Sequence, residues 1–301
     1  MSGKHIDLFL VDGEFGGIVT ADVSGWTGHV VTGPRLALRR MLARWDAQTN
    51  GVYLLLGSDD SAVESLRCYI GRTESFADRL KVHDARKTWW DRVVLISSRE
   101  EAFNEGYWAH LEYRMLDIAI QARRSTLDDN KQTPQPRKLS EAQQSDAEAF
   151  LEQVRSILPV LGINVLRAAK PRRPAPSEAP LPEPSPIFRI QVPSKGIDAA
   201  GTVVQGEFFL LEGSRLVGTW VGRGKSESTK QIYAKMQARR DKFIADGTFR
   251  REGDALLVTR DVALSPSTAS SLAFGRSSSG PAAWRWEGGT YRDWEDRGLR
   301  A

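Results

Sequence analysis

Between Ala168 and Pro186 the chain carries Pro171, Pro174, Pro176, Pro180, Pro182, Pro184 and Pro186 among Ala, Glu, Ser and Arg. Each proline fixes φ and removes a backbone donor, so neither a helix interior nor a central strand tolerates this spacing. The few apolar side chains left between them cannot bury a core, and the segment reads as an extended, polyproline-like spacer. A 301-residue chain cut there must fold as separate bodies. The expected division is an N-terminal β extension over 1–47, a central domain with a trailing helix over 48–168, a linker over 169–186, and a C-terminal domain over 187–301.

The central domain is legible from pattern. Gly51 to Gly57 is a run of Val, Tyr and Leu bounded by glycines, and Arg67 to Gly71 is a second strand-like run. The polar stretch Gly57-Ser58-Asp59-Asp60-Ser61 between them predicts an antiparallel hairpin. Ser75 followed by Asp78 marks a helix start. On that helix Phe76 and Leu80 share one face, and Arg79 and His83, four apart, share another. Arg92 to Ser97 predicts a third strand, Glu101 to Ala122 a long helix, and Glu141 to Leu158 another. Upstream, Ile6 to Val11 and Gly17 to Val23 predict strands, and Pro34 to Trp45 a basic helix.

Glu112 stands out in the long helix. It lies within or beside the stripe of Trp108, Leu111, Met115, Leu116 and Ala119. A buried carboxylate is costly unless it is paired or holds a metal. Taken singly, Glu112 is better explained as an edge glutamate that bends out to solvent or pairs with a nearby arginine, Tyr53 and Tyr69 by strand packing, Arg79 by solvent, and Asn130 by turn formation.

The ordered set reads differently. Gly51-Val52-Tyr53, then Tyr69-Ile70-Gly71, then a Ser-capped helix with Arg79 and His83, then Glu112 and Asn130, resembles the GIY-YIG nuclease family from about Gly51 to Asn130. The flanking chain is similar to a bacterial subgroup whose C-terminus carries a domain of unknown function. The two tyrosine motifs stand further apart than in compact members, and the excess, Ser58 to Ser65, is polar, so it implies a longer loop at small entropic cost. The resemblance implies an α+β fold, a small mixed or antiparallel sheet flanked by helices, followed by a second small α+β domain.

It also implies a metal-dependent endonuclease. Phosphodiester hydrolysis needs an activated water, neutralised phosphate charge and a stabilised leaving oxygen. By the resemblance Glu112 is the protein ligand of one divalent cation, Mg²⁺ or Mn²⁺, which keeps several waters. Tyr53 is the general base, with Tyr69 and His83 shaping the proton path. A free tyrosine titrates near ~10, so that role calls for nearby positive charge. Arg79 supplies a permanent charge for phosphate oxygens, and Asn130 holds the site together. Gly71 and Arg72 are expected against nucleic acid. The partner is DNA, with strand structure open and RNA also open. The alternative is a non-catalytic nucleic-acid-binding or recruitment protein that keeps the fold.

Composition is compatible with this reading. Net charge is +4, and Arg pairs recur at 39–40, 123–124, 172–173, 239–240 and 250–251, which together can track a phosphate backbone. The single cysteine, Cys68, removes internal disulfides and cysteine-based zinc sites. There is no charged-then-apolar leader and no apolar run of bilayer length, so a cytoplasmic protein without membrane contact is expected. In the C-terminal part, Ile187 to Val192, Gly206 to Glu212, Leu216 to Val221 and Ala255 to Thr259 predict strands, and Ser228 to Ala245 a basic helix with Ile232, Met236 and Phe243 as its apolar face. Lys235, Arg239 and Arg240 on that helix are expected to engage nucleic acid, with a protein partner as the other use of this domain. Ser265 predicts a helix start. Gly275 to Gly280 is a weak candidate for a phosphate-binding loop. Trp284, Trp286, Tyr291 and Trp294 read as core in preference to a stacking platform.

Overall fold

The computed structural model describes residues 3–14, 16–59, 66–100, 103–130, 139–167, 185–224 and 226–299. They form two compact units, one on each side of the proline-rich segment. Most of that segment, and most of the polar loop between the tyrosine motifs, lies outside the described residues.

The first unit is built on one sheet: β1 (Ile6–Leu10), β2 (Val19–Val23), β3 (Gly28–Pro34), β4 (Gly51–Ser58), β5 (Leu66–Thr73), β6 (Arg92–Ser98) and β7 (Ser125–Thr126). Their spatial order is β1-β2-β3-β6-β4-β5-β7, and only the β5–β7 pairing is parallel. The expected hairpin is present, with Tyr53 opposite Gly71 and Leu55 opposite Tyr69. Helices are α1 (Leu38–Leu42), α2 (Phe76–Arg86), α3 (Glu105–Ala122) and α4 (Glu141–Val160).

Both faces of the sheet are covered, which is why β4 reads as continuously apolar. Val52, Leu54, Leu56, Cys68, Ile70, Val94 and Ile96 pack with α3 and α4. Tyr53, Leu55, Val93 and Leu95 pack with Phe76 and Leu80 of α2 and with Met41. The strand period of two therefore assigns each tyrosine to the α2 face. Cys68 is buried, as a small apolar side chain, and burial pushes its thiol up. Truncating Leu54, fully buried between β4 and α3, costs about 2–5 kcal/mol.

The N-terminal residues correct one expectation. They are not an appended extension: β3 pairs with β6 along its whole length, Gly28 to Pro34, making β1–β3 part of the same sheet. The expected helix over Pro34 to Trp45 is broken into a 3₁₀ turn (Arg35–Ala37), the short α1, and a second 3₁₀ turn (Trp45–Gln48). None of these starts has a side-chain cap, and uncapped short helices are marginal. By contrast α2 starts at Ser75, whose hydroxyl accepts from Asp78 N, and α4 starts with a full capping box of Ser140 and Gln143.

The second unit is an antiparallel sheet with helices. Its strands are β8 (Phe188–Val192), β9 (Ile197–Val204), β10 (Glu207–Leu210), β11 (Arg215–Val217), β12 (Phe249–Glu252), β13 (Ala255–Val258), β14 (Val262–Ala263), β15 (Arg285–Trp286) and β16 (Gly289–Thr290). The main order is β12-β13-β11-β9-β8-β15-β16, with β10 bridging β9 and β14. Its helices are α5 (Glu227–Ala245), α6 (Pro266–Phe274), α7 (Gly280–Ala283) and α8 (Tyr291–Glu295). Trp284 is fully buried and sits 5.0 Å from Phe208, while Tyr291 and Trp294 flank Phe188. The aromatic cluster is core.

Candidate active site

Tyr53 is fully buried on the α2 face of β4. Its neighbour across the hairpin is Gly71, where an added Cβ would lie 2.6 Å from the Tyr53 hydroxyl oxygen and 2.9 Å from the Tyr69 ring. The glycine of the second motif is thus the space the first tyrosine occupies. The Ser75 cap sets the register of α2, so Arg79 and His83, one turn apart, both reach that hydroxyl. Arg79 Nε donates to Tyr53 Oη at 3.2 Å, and Tyr53 Oη lies 2.7 Å from His83 Nε2. The Tyr69 ring closes the group, 5.2 Å from the His83 ring and 6.0 Å from that of Tyr53.

The electrostatics set the charge states. Burial, then the positive charges of Arg79 and Lys87, push His83 down to about 4, so the imidazole is neutral near pH 7. Its Nε2 pairs with the Tyr53 hydroxyl, and in the Nδ1–H tautomer it accepts from it. The Tyr53 phenol is pushed up, by burial first and by Tyr69 next, with Arg79 opposing. The positive charge anticipated beside Tyr53 is present, but burial outweighs it, and the phenol rests protonated.

Glu112 belongs to a second group. Its side chain is 14% exposed, and Arg72 engages both carboxylate oxygens: the backbone N–H donates to Oε1 at 3.2 Å and Nε donates to Oε2 at 3.1 Å. Arg72 Nη1 also donates to Glu105 Oε1 at 2.5 Å. Burial pushes the Glu112 carboxyl up, against the pull of Arg72 and Arg79. Arg72 falls on the same face of β5 as Ile70, opposite to Tyr69 and Gly71. The predicted set is therefore split across β5, with Arg79 bonded to Tyr53 and its charge also felt by Glu112.

The two groups share one strand edge. β5 pairs with β7 only at Leu66 and Arg67. Further along, Asn130 replaces a strand: its Oδ1 accepts from Ile70 N at 3.2 Å and its Nδ2 donates to Ile70 O at 2.7 Å. Two residues on, the Arg72 N–H on the same edge is taken by Glu112. Asn130 thus positions β5. Lys87, 4.7 Å from the Tyr69 ring centroid and 2.6 Å from Asp129, is a cation at this site that sequence reasoning missed. Glu105 was missed as well, although it stands two helical turns before Glu112 and so on its face.

A divalent ion fits the donor set in a limited way. Among the described residues no group of three His, Cys, Asp or Glu side chains gathers to hold a metal. Glu112, a largely desolvated carboxylate already bound to one cationic side chain, suits an ion that keeps most of its waters.

The second unit corrects part of the nucleic-acid expectation. Arg240 is 1% exposed, with Nη2 donating to the Val217 carbonyl, so it is core-facing and not a surface contact. Ile232, expected on the buried face of α5, is instead exposed. Lys235 is exposed, and the Arg239 guanidinium lies 5.1 Å from the Phe243 ring centroid. The Gly275–Gly280 loop spends three of its N–H groups internally: Arg276 N on Ser271 O, Ser278 N on Ser271 Oγ, Gly280 N on Ser267 Oγ. No helix among the described residues is long and apolar enough to cross a membrane.

No curated protein and no solved structure matches the chain. No match to a GIY-YIG family model is found in the first unit. Residues 188–295, which lie within the second unit, match the family described as Domain of unknown function (DUF4357).

Proposed function

We propose that the first unit is a metal-dependent endonuclease of the GIY-YIG type, cutting phosphodiester bonds of DNA. The observation that carries this reading is the Tyr53 hydroxyl, buried between the neutral His83 imidazole at 2.7 Å and the Arg79 donor at 3.2 Å.

The arrangement supports a relay. Tyr53 takes a proton from the attacking water as its own proton passes to His83 Nε2, so a free phenolate never has to form in the buried site. Arg79 steadies the phenol oxygen and keeps its permanent charge close to the phosphate. Glu112, at the adjoining edge of β5, is the residue that would hold a Mg²⁺ or Mn²⁺ ion. Such an ion, when bound, neutralises phosphate charge and stabilises the leaving oxygen. Asn130 keeps the strand edge in place. A substrate lying along Tyr69 to Thr73 meets the Tyr53 group from one side and Glu112 from the other. The second unit is proposed as a substrate- or partner-engaging domain, with Lys235 among the exposed cations of α5.

The test is incubation of the purified chain with labelled single-stranded, duplex and branched DNA, and with RNA, with and without Mg²⁺ or Mn²⁺. Metal-dependent cutting that Glu112→Gln abolishes supports the reading. Binding without cutting in every condition favours the recruitment alternative.

A further inference from the structure

We infer that Arg72 is a tethered cation occupying the place of the divalent ion in the resting protein, and that Glu105 is a second carboxylate of that site. The inference rests on the proposed nuclease reading and concerns regulation of the same site.

Three contacts carry it. One guanidinium spans two carboxylates: Arg72 Nε reaches Glu112 Oε2 at 3.1 Å and Nη1 reaches Glu105 Oε1 at 2.5 Å. The Arg72 backbone N–H adds a bond to Glu112 Oε1 at 3.2 Å. Glu105 and Glu112 are seven residues apart on α3, two turns along one face. A guanidinium carries a permanent charge and no acceptor, so it neutralises Glu112 without any ion. This accounts for how a carboxylate of 14% exposure is tolerated in the resting protein.

The exposure gradient gives the exchange a direction. Glu112 is 14% exposed, Arg72 33% and Glu105 43%, so the arginine lies toward solvent from the carboxylate that matters most. A hydrated ion brings two positive charges to two carboxylates where Arg72 brings one. Both carboxylates can bind it directly or through its waters, since Mg²⁺ and Mn²⁺ favour oxygen ligands. The displaced guanidinium stays beside Gly71 and offers its planar fork to a phosphate, to which it can give two parallel N–H bonds where it gave each carboxylate one. Metal loading and phosphate capture are therefore coupled: Arg72 is available to nucleic acid only once the ion has taken the glutamates.

The test is Mn²⁺ binding to the full chain without DNA, by electron paramagnetic resonance or calorimetry, for wild type, Arg72→Ala, Arg72→Lys, Glu112→Gln and the double variant Arg72→Ala/Glu105→Gln. Removing the competitor should tighten Mn²⁺ binding on the order of 10-fold, and the double variant should lose much of that gain. Arg72→Lys, a point charge with fewer bonds, should fall between, and it carries the test if Arg72→Ala does not fold. In parallel, single-stranded DNA affinity should fall for Arg72→Ala in Ca²⁺ but be unchanged in EDTA. Unchanged or weaker Mn²⁺ binding by Arg72→Ala overturns Arg72 as competitor, as does an equal DNA defect with and without metal. A double variant that binds as tightly as Arg72→Ala overturns Glu105. Equal binding by wild type and Glu112→Gln overturns the metal site itself, a failure of the nuclease reading that these arms keep separate.

Discussion

Tyr53→Phe removes one oxygen from the most constrained point of the site. The lost hydroxyl bonds to His83 Nε2 at 2.7 Å and accepts from Arg79 Nε at 3.2 Å. Arg79 is exposed, so water replaces its partner at little cost. His83 is 5% exposed, and its Nε2 is left without its hydroxyl partner. An orphaned buried polar group costs about 1–3 kcal/mol, and the ring itself stays packed, so the melting temperature should fall by about 2–12 °C. A domain of ordinary stability, about 5–15 kcal/mol, stays folded after that loss. Cleavage should nonetheless drop about 10²–10⁴-fold, the range for loss of a positioned proton-transfer group. Single-turnover cleavage rates beside denaturation midpoints separate the two effects. If the variant loses stability as computed yet cuts at the wild-type rate, the relay through Tyr53 is wrong, and Tyr69 becomes the tyrosine to test.

Other outcomes follow from the same geometry. Glu112→Ala should abolish metal-dependent cutting while leaving circular dichroism unchanged, because Arg72 keeps Glu105 as a partner; near-normal cutting would sink the assignment. Gly71→Ala places a Cβ 2.6 Å from the Tyr53 oxygen, and overpacking should cost about 1–3 kcal/mol with loss of activity; a thermal melt and a cleavage assay read both. His83 is depressed to about 4, so the acid limb of activity set by this group should lie near there and not near 6.5, the ordinary histidine value; a limb at the ordinary value would contradict a buried acceptor. In the same unit burial pulls His29 down, but its bonds to Asp46 and Asp22 win and its value is raised, while burial pushes Asp46 up and His29 and Arg44 bring it below the usual range. The raised histidine contributes below the ordinary histidine value and loses that contribution as pH rises through its folded one. The lowered Asp46 contributes above the ordinary carboxylate range. Asp46→Asn should therefore destabilise most at weakly acidic pH and less in alkali, as denaturant midpoints across pH will show.

What the sequence made legible follows local rules strictly. β4, β5, α2 and α4 carry glycine bounds, β-branched runs or capping hydroxyls, and their positions could be read directly. β3 escaped because Gly28 to Pro34 is short, glycine-bounded and ends in proline, and its strand character depends on pairing with β6, more than fifty residues away in the chain. In the second unit β9 and β12 escaped as well, although both pair with strands next to them in the chain. Arg240 escaped because helical spacing treats every arginine as surface, whereas its burial against the Val217 carbonyl depends on β11.

The candidate site was legible as a list of residues and not as a place. Period two in β5 already separates Tyr69 and Gly71 from Ile70 and Arg72, so a tyrosine group and a glutamate group on α3 cannot meet through the sheet. They meet only around its edge. That edge exists because β7 covers β5 at just Leu66 and Arg67, after which single side chains satisfy the backbone: Asn130 at Ile70 and Glu112 at Arg72. Unpaired strand edges invite another chain, and here the N–H of Arg72 is held by the very carboxylate proposed to bind the ion. A longer β7 would have sealed the edge and kept Glu112 from it. The shortness of β7 is thus a condition for the two half-sites to serve one phosphate.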